Sequence, residues 1–192
     1  MKRRFCLVIL TVMLLTIVLA CGSESDVEVK QPESSPEELT KSEEITSTES
    51  QLGTSRDNPA PTGSEIVADD MSFLVSGVTR PATDIIMEGN QFNTEPEVEQ
   101  EYILVDLKAT CKKSPSEKCS LSIFNLKVVG SSGVTQDAEW MVAGVDGLLE
   151  DADFYGDASL EGAIPFIVGT AETNLLLVYE PFLGDTFYLE LP

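Results

Sequence analysis

Hydrophobic positions divide the chain into three zones. Phe5 to Leu19 is an apolar run of fifteen residues, interrupted only by Thr11 and Thr16 and preceded by Lys2, Arg3 and Arg4. A bilayer-spanning helix needs about 20 residues. The run therefore predicts the h-region of an export signal, Met1 to Ala20. Gly22 to Thr62 has no apolar period and no aromatic residue; Ser, Thr, Glu and Pro dominate, and ten acids face three bases. Such a segment buries too little apolar surface to offset ordering its backbone, so residues 21–62 are expected to form a disordered acidic linker. As a coil its ends would lie roughly 35 Å apart. Asn58-Pro59-Ala60-Pro61-Thr62-Gly63 is a breaker cluster that marks the boundary of a folded domain at residues 63–192.

Within that domain the period is two. In Tyr102 to Cys111, residues Ile103, Val105, Leu107, Ala109 and Cys111 share one face. Tyr102, Asp106, Lys108 and Thr110 lie on the other, with Leu104 the exception. This predicts a half-buried antiparallel strand, with Cys119 to Val129 returning as its partner. Further strand runs are Ile66 to Asp69, Ser72 to Val78, Thr83 to Met87, Glu139 to Ala143, Ala163 to Val168, Asn174 to Tyr179 and Thr186 to Leu191. Leu175 to Val178 is apolar throughout and reads as a central strand, while Pro165 belongs at an edge or a bulge. No stretch keeps a helical period. Seven to nine short strands separated by Gly, Pro, Asn and Asp predict an all-β sandwich.

Val18-Leu19-Ala20-Cys21 resembles the lipobox of bacterial lipoproteins. The resemblance implies a diacylglycerol thioether on Cys21, cleavage before it and acylation of the freed amine. Two or three acyl chains anchor stably where one is marginal. The alternative is an ordinary secretory signal with an accidental cysteine. Cys6 leaves with the signal, so Cys111 and Cys119 remain. Outside the cytoplasm this pair is expected to form a disulfide closing the turn between two strands. A redox dithiol or half a metal site is the alternative, the latter disfavoured by the absence of histidine.

The domain resembles the telokin-like, immunoglobulin-like domains of unknown function found in bacterial lipoproteins and secreted proteins. The carrying stretches begin with Glu65-Ile66-Val67, Phe73-Leu74-Val75, Gly77-Val78-Thr79-Arg80-Pro81-Ala82, Gly89-Asn90-Gln91-Phe92-Asn93 and Glu101-Tyr102-Ile103-Leu104-Val105. They continue with Ser131-Ser132-Gly133, Gly162-Ala163-Ile164-Pro165-Phe166 and Leu175-Leu176-Leu177-Val178-Tyr179-Glu180-Pro181. The resemblance implies an immunoglobulin-like β-sandwich outside the cytoplasmic membrane and brings no catalytic residues. Trp140, the only tryptophan, follows both cysteines, so the antibody Cys…Trp…Cys order is absent.

Charge and chemistry narrow the function. Without histidine there is no His-based triad or general base, and no enzyme is expected. The whole chain carries a net charge of −21, and no Lys or Arg follows Lys127. Phosphate contacts need cations, so nucleic acid is excluded as a partner. Five of the domain's six bases lie between Lys108 and Lys127, which suggests either a basic docking tip around the cysteine loop or merely solvated lysines. Asp146, Glu150, Asp151, Asp153 and Asp157 place five carboxylates within twelve residues, a candidate Ca²⁺ loop. Asp151, Asp153 and Gly156 match the first, third and sixth positions of an EF-hand loop, but Tyr155 and Gly162 occupy the fifth and twelfth. The alternative is a solvated acidic loop, and no other cofactor is expected.

These readings converge on a lipoprotein held at the cell membrane through Cys21, its domain facing outside the cytoplasm. The expected role is a module binding an envelope or extracellular protein partner. The alternative is a solute- or Ca²⁺-binding accessory lipoprotein.

Overall fold

The computed structural model describes residues 28–30 and 52–192. The expected export signal, Cys21 and the rest of the expected linker lie outside the described residues. Eleven strands and one helix are described: β1 (Glu28–Lys30), β2 (Glu65–Ala68), β3 (Met71–Thr79), α1 (Thr83–Gly89), β4 (Gln100–Cys111), β5 (Lys118–Leu121), β6 (Leu126–Val129), β7 (Thr135–Asp137), β8 (Ala152–Tyr155), β9 (Ser159–Gly169), β10 (Leu176–Tyr179) and β11 (Phe187–Glu190). They form an antiparallel sheet ordered β1-β2-β3-β4-β9, a second ordered β11-β10-β6-β7, and the pair β5-β8. The protein is an all-β sandwich.

Alternation builds the layer between the sheets. Ile66, Phe73, Val75, Ile103, Val105, Leu107, Ile164 and Phe166 point inward from the first sheet, and Leu126, Val128, Leu177, Tyr179, Phe187 and Leu189 from the second. Each large side chain buried here contributes about 1.5–3 kcal/mol relative to exposure. Phe73 lies 4.7 Å from Tyr179 and 5.1 Å from Phe187, ring centre to ring centre. Leu176 to Tyr179 forms β10, between β6 and β11, and is buried throughout, as its unbroken apolar run predicts. Pro165 lies on edge strand β9, opposite Leu104.

Leu104 breaks the alternation because the outer face of β4 is itself covered. Tyr102 and Leu104 pack with Ala82, Ile86 and Ala163 in a second apolar cluster, against which Val142, Val145, Leu148 and Ile167 rest. Helix α1 supplies Ile86 to this cluster. Thr83 to Met87, expected as a strand, is helical because a short helix puts Ile86 onto the sheet while leaving Asp84 and Ile85 exposed. A helix this short depends on that packing.

Three other expectations are corrected. Cys119 to Val129 is not one strand and does not pair with β4, which is claimed on both sides by β3 and β9. It splits into β5, a 3-10 turn at Ile123–Asn125, and β6, so the segment crosses from β8 to the second sheet. Glu139 to Ala143 is not a strand; the chain leaves β7, bridges Phe166 through Ala138, and runs across the outer face of the first sheet. The linker is partly folded. β1 pairs with β2, and residues 52–62 pack on β11, where Ala60 is fully buried. Tyr188 N–H donates to the Gly53 carbonyl at 2.7 Å, and Glu190 N–H to the Ala60 carbonyl at 2.9 Å.

Candidate functional site

The outer cluster forms the floor of a cleft of about 390 Å³. Tyr102 on β4 and Ile167 on β9 are cross-strand partners and provide the base. The segment Phe92–Glu97 makes one wall, and Glu139, Met141 and Val142 make the other. Asn93 ties the walls together. Its side-chain amide donates to the carbonyls of Ile86 (2.6 Å) and Ala143 (2.9 Å), and its oxygen accepts from Ala143 N–H (3.0 Å). The Tyr102 hydroxyl donates to the Thr94 carbonyl at 2.9 Å. Glu139 is fixed from below, its N–H donating to the Pro165 carbonyl at 2.8 Å. Gly144 has φ +76°, and a side chain there would collide with the Gly89 carbonyl, so glycine permits the close approach of α1 to this wall.

The cleft is electrostatically acidic. Burial, reinforced by the charge of Asp137, pushes the Glu139 carboxyl above the usual carboxylate range. Burial, with Glu139 nearby, raises the Tyr102 phenol as well. Among the described residues, none of the ion pairs includes Glu139. Arg80 pairs with Glu101, Lys108 with Glu161, Lys112 with Glu65, Lys113 with Asp70, Lys118 with Asp153, and Lys127 with Glu180 and Asp137. Glu95 and Glu97 add negative charge to the opposite wall, and the lining holds no base. Large apolar side chains stand exposed on both walls: Phe92 is 83% exposed and Met141 70%, and Trp140, between Glu139 and Met141 in the chain, is 64% exposed. A larger cleft of about 700 Å³ lies beside Arg56, Gly130 and Glu190. The guanidinium of Arg56 donates to the Gly130 carbonyl at 2.7 Å, and none of the large exposed apolar side chains lines that cleft.

The structure tests the site residues expected from sequence unevenly. Cys111 and Cys119 form the disulfide, with Cα atoms 5.7 Å apart. It joins the end of β4 to β5 rather than closing a hairpin of paired strands. Cys21 lies outside the described residues. Of the candidate Ca²⁺ loop, Asp146, Glu150, Asp151, Asp153 and Asp157 have separate surroundings. Asp151 accepts from Ile123 N–H at 2.7 Å and from the Ser122 hydroxyl at 3.0 Å, capping the 3-10 turn. Asp153 lies 3.9 Å from Lys118 across the β5-β8 pair. Glu150 is exposed, Asp157 occupies the β8–β9 turn at φ +67°, and Asp146 lies beside Lys108 and Glu161. Among the described residues, no three His, Cys, Asp or Glu side chains are placed to hold a metal. Strand alternation and local capping separate carboxylates that are close only in sequence. The basic tip is neutralised as well, since each of its lysines pairs with an acid of the domain body. Asn93, Glu139 and the apolar rim are not evident from the sequence. The one local signal is Tyr102 and Leu104 on the face expected to be polar.

No protein-family model and no curated protein sequence matches the chain. Solved structures resemble it in fold. The yjhA protein from Bacillus subtilis aligns with a TM-score of 0.50 and 12% identity, covering 69% of this chain and 98% of that one. MPT63, a secreted protein from Mycobacterium tuberculosis, aligns with a TM-score of 0.52 and 13% identity, covering 69% and 97%. At these identities the likeness establishes a shared β-sandwich.

Proposed function

We propose that this protein is a lipid-anchored envelope protein whose sandwich binds a protein partner through the rim of the Glu139 cleft. The lipobox at Val18 to Cys21 supports the anchor, and the likeness to a secreted protein supports a location outside the cytoplasm. The telokin-like, immunoglobulin-like resemblance belongs to the same proposal, because sandwich domains of that kind present loops and edges to partners. No catalytic role enters the reading.

One observation carries it. Phe92 and Met141 are large apolar side chains held in solvent on the two walls of one cleft, with exposed Trp140 next to Met141 in the chain, and the Asn93 hydrogen bonds fix those walls. Scattered exposed hydrophobics are ordinary, but a grouped apolar rim on a rigid support marks a contact surface. The test places a photo-crosslinking amino acid at Phe92 or Met141 in the full chain, with Lys118 as a control position. A discrete adduct of one mass from both rim positions and none from Lys118 is the expected result. Equal labelling from all three positions contradicts the reading.

A further inference from the structure

We infer that the Glu139 cleft seats the ammonium end of a lysine side chain presented by a partner polypeptide. The inference rests on the binding-module reading above and names the chemistry of the partner. Glu139 is half-buried against Tyr102 and Ile167, and no described base pairs with it. A carboxylate withdrawn from water without a cation is costly, and an incoming ammonium supplies the missing charge. Glu95, Glu97 and Asp137 repel an anionic group from the same place, so the complementary ligand is a cation. The cavity, about 390 Å³, lies at the small end of ligand sites and exceeds what a bare cation needs.

Its remaining lining mixes polar and apolar side chains. Phe92, Met141 and Val142 line the way to the carboxylate and can cover a four-carbon stem, the arrangement by which lysine buries its methylenes beside a charge. Partner residues flanking the lysine would then cover the exposed Trp140 and Phe92.

Trp140, the only tryptophan in the chain, adjoins Glu139 and gives the test a native reporter. The purified full chain is titrated with a blocked alanine-based heptapeptide carrying one central lysine, with its norleucine twin, and with n-butylammonium. A saturable change in Trp140 emission with the lysine peptide is expected, at least about tenfold weaker for each of the other two probes. Glu139→Gln keeps the shape of the side chain and loses that binding about tenfold or more, whereas Glu150→Gln, an equal charge change outside the cleft, leaves it intact. Circular dichroism melts confirm that both variants fold. No saturation by about 10 mM lysine peptide, equal affinity of the norleucine twin, or undiminished binding by Glu139→Gln overturns the lysine seat. Butylammonium binding as tightly as the peptide overturns the polypeptide source. Crosslinking at Phe92 that persists in Glu139→Gln overturns the seat while leaving the module standing. Lysine-peptide binding without any specific adduct removes the protein-binding reading instead.

Discussion

Asn93 joins three backbone groups from two separate segments, and its side chain has no substitute nearby. Asn93→Ala leaves the Ile86 and Ala143 carbonyls and the Ala143 N–H without it. Buried groups stripped of a partner cost about 1–3 kcal/mol, so a urea unfolding curve should shift its midpoint by that amount with little change in slope. Tyr179 gives a second prediction. Its ring stacks on Phe187 at 5.2 Å, and burial, with Asp69 beside it, pushes its phenol up to about 12. An unfolded tyrosine ionises near about 10. Between those values the unfolded chain has already lost a proton that the fold retains, so stability falls as pH rises through this window and is fully present below it. Tyr179→Phe should flatten the decline of melting temperature between about pH 10 and 12. Some slope remains, because Tyr102 is shifted in the same direction.

Among the elements, strand β11 depends on a segment that composition assigns to the linker. Ala60 N–H donates to the Tyr188 carbonyl at 2.8 Å, and residues 53 and 60 accept from Tyr188 and Glu190. A chain beginning at residue 63 exposes that edge and loses these three bonds, at about 1 kcal/mol each. Its urea midpoint should correspond to roughly 3 kcal/mol less stability than a chain beginning at residue 52. Equal midpoints would mean that the segment only rests on the sheet. The disulfide acts at the same scale, closing a short loop worth about 2.5 kcal/mol in chain entropy. Strand period was legible where one face meets the core, as in Tyr102 to Cys111. It misled at Thr83 to Met87 and at Glu139 to Ala143, where apolar residues serve a second, outer cluster.

For the whole molecule, charge is the dominant feature. The chain carries 33 acids against 12 bases, and three of those bases precede Phe5. The ion pairs join exposed or half-exposed side chains and contribute little individually. Repulsion among unpaired carboxylates should therefore outweigh them. Raising NaCl from about 20 mM to about 500 mM, which shortens the screening length several-fold, should raise the melting temperature at pH 7. A fall would show instead that the lysine pairs, Lys127 with Glu180 above all, carry more stability than their exposure implies.

Local patterns alone indicated the β class, the central position of Leu175 to Val178, an edge or bulge for Pro165 and the pairing of Cys111 with Cys119. Each depends on neighbours within a few residues, the two cysteines included. Tertiary structure decided which strands pair, that the expected linker closes the β11 edge, and that five clustered acids share no site. It also decided that Glu139, one acid among many in sequence, lies half-buried in a cleft whose lining holds no base. That environment is assembled from β4, β9 and two loops separated by tens of residues. Burial and charge pairing at such distances depend on how the layers pack, which no local period encodes.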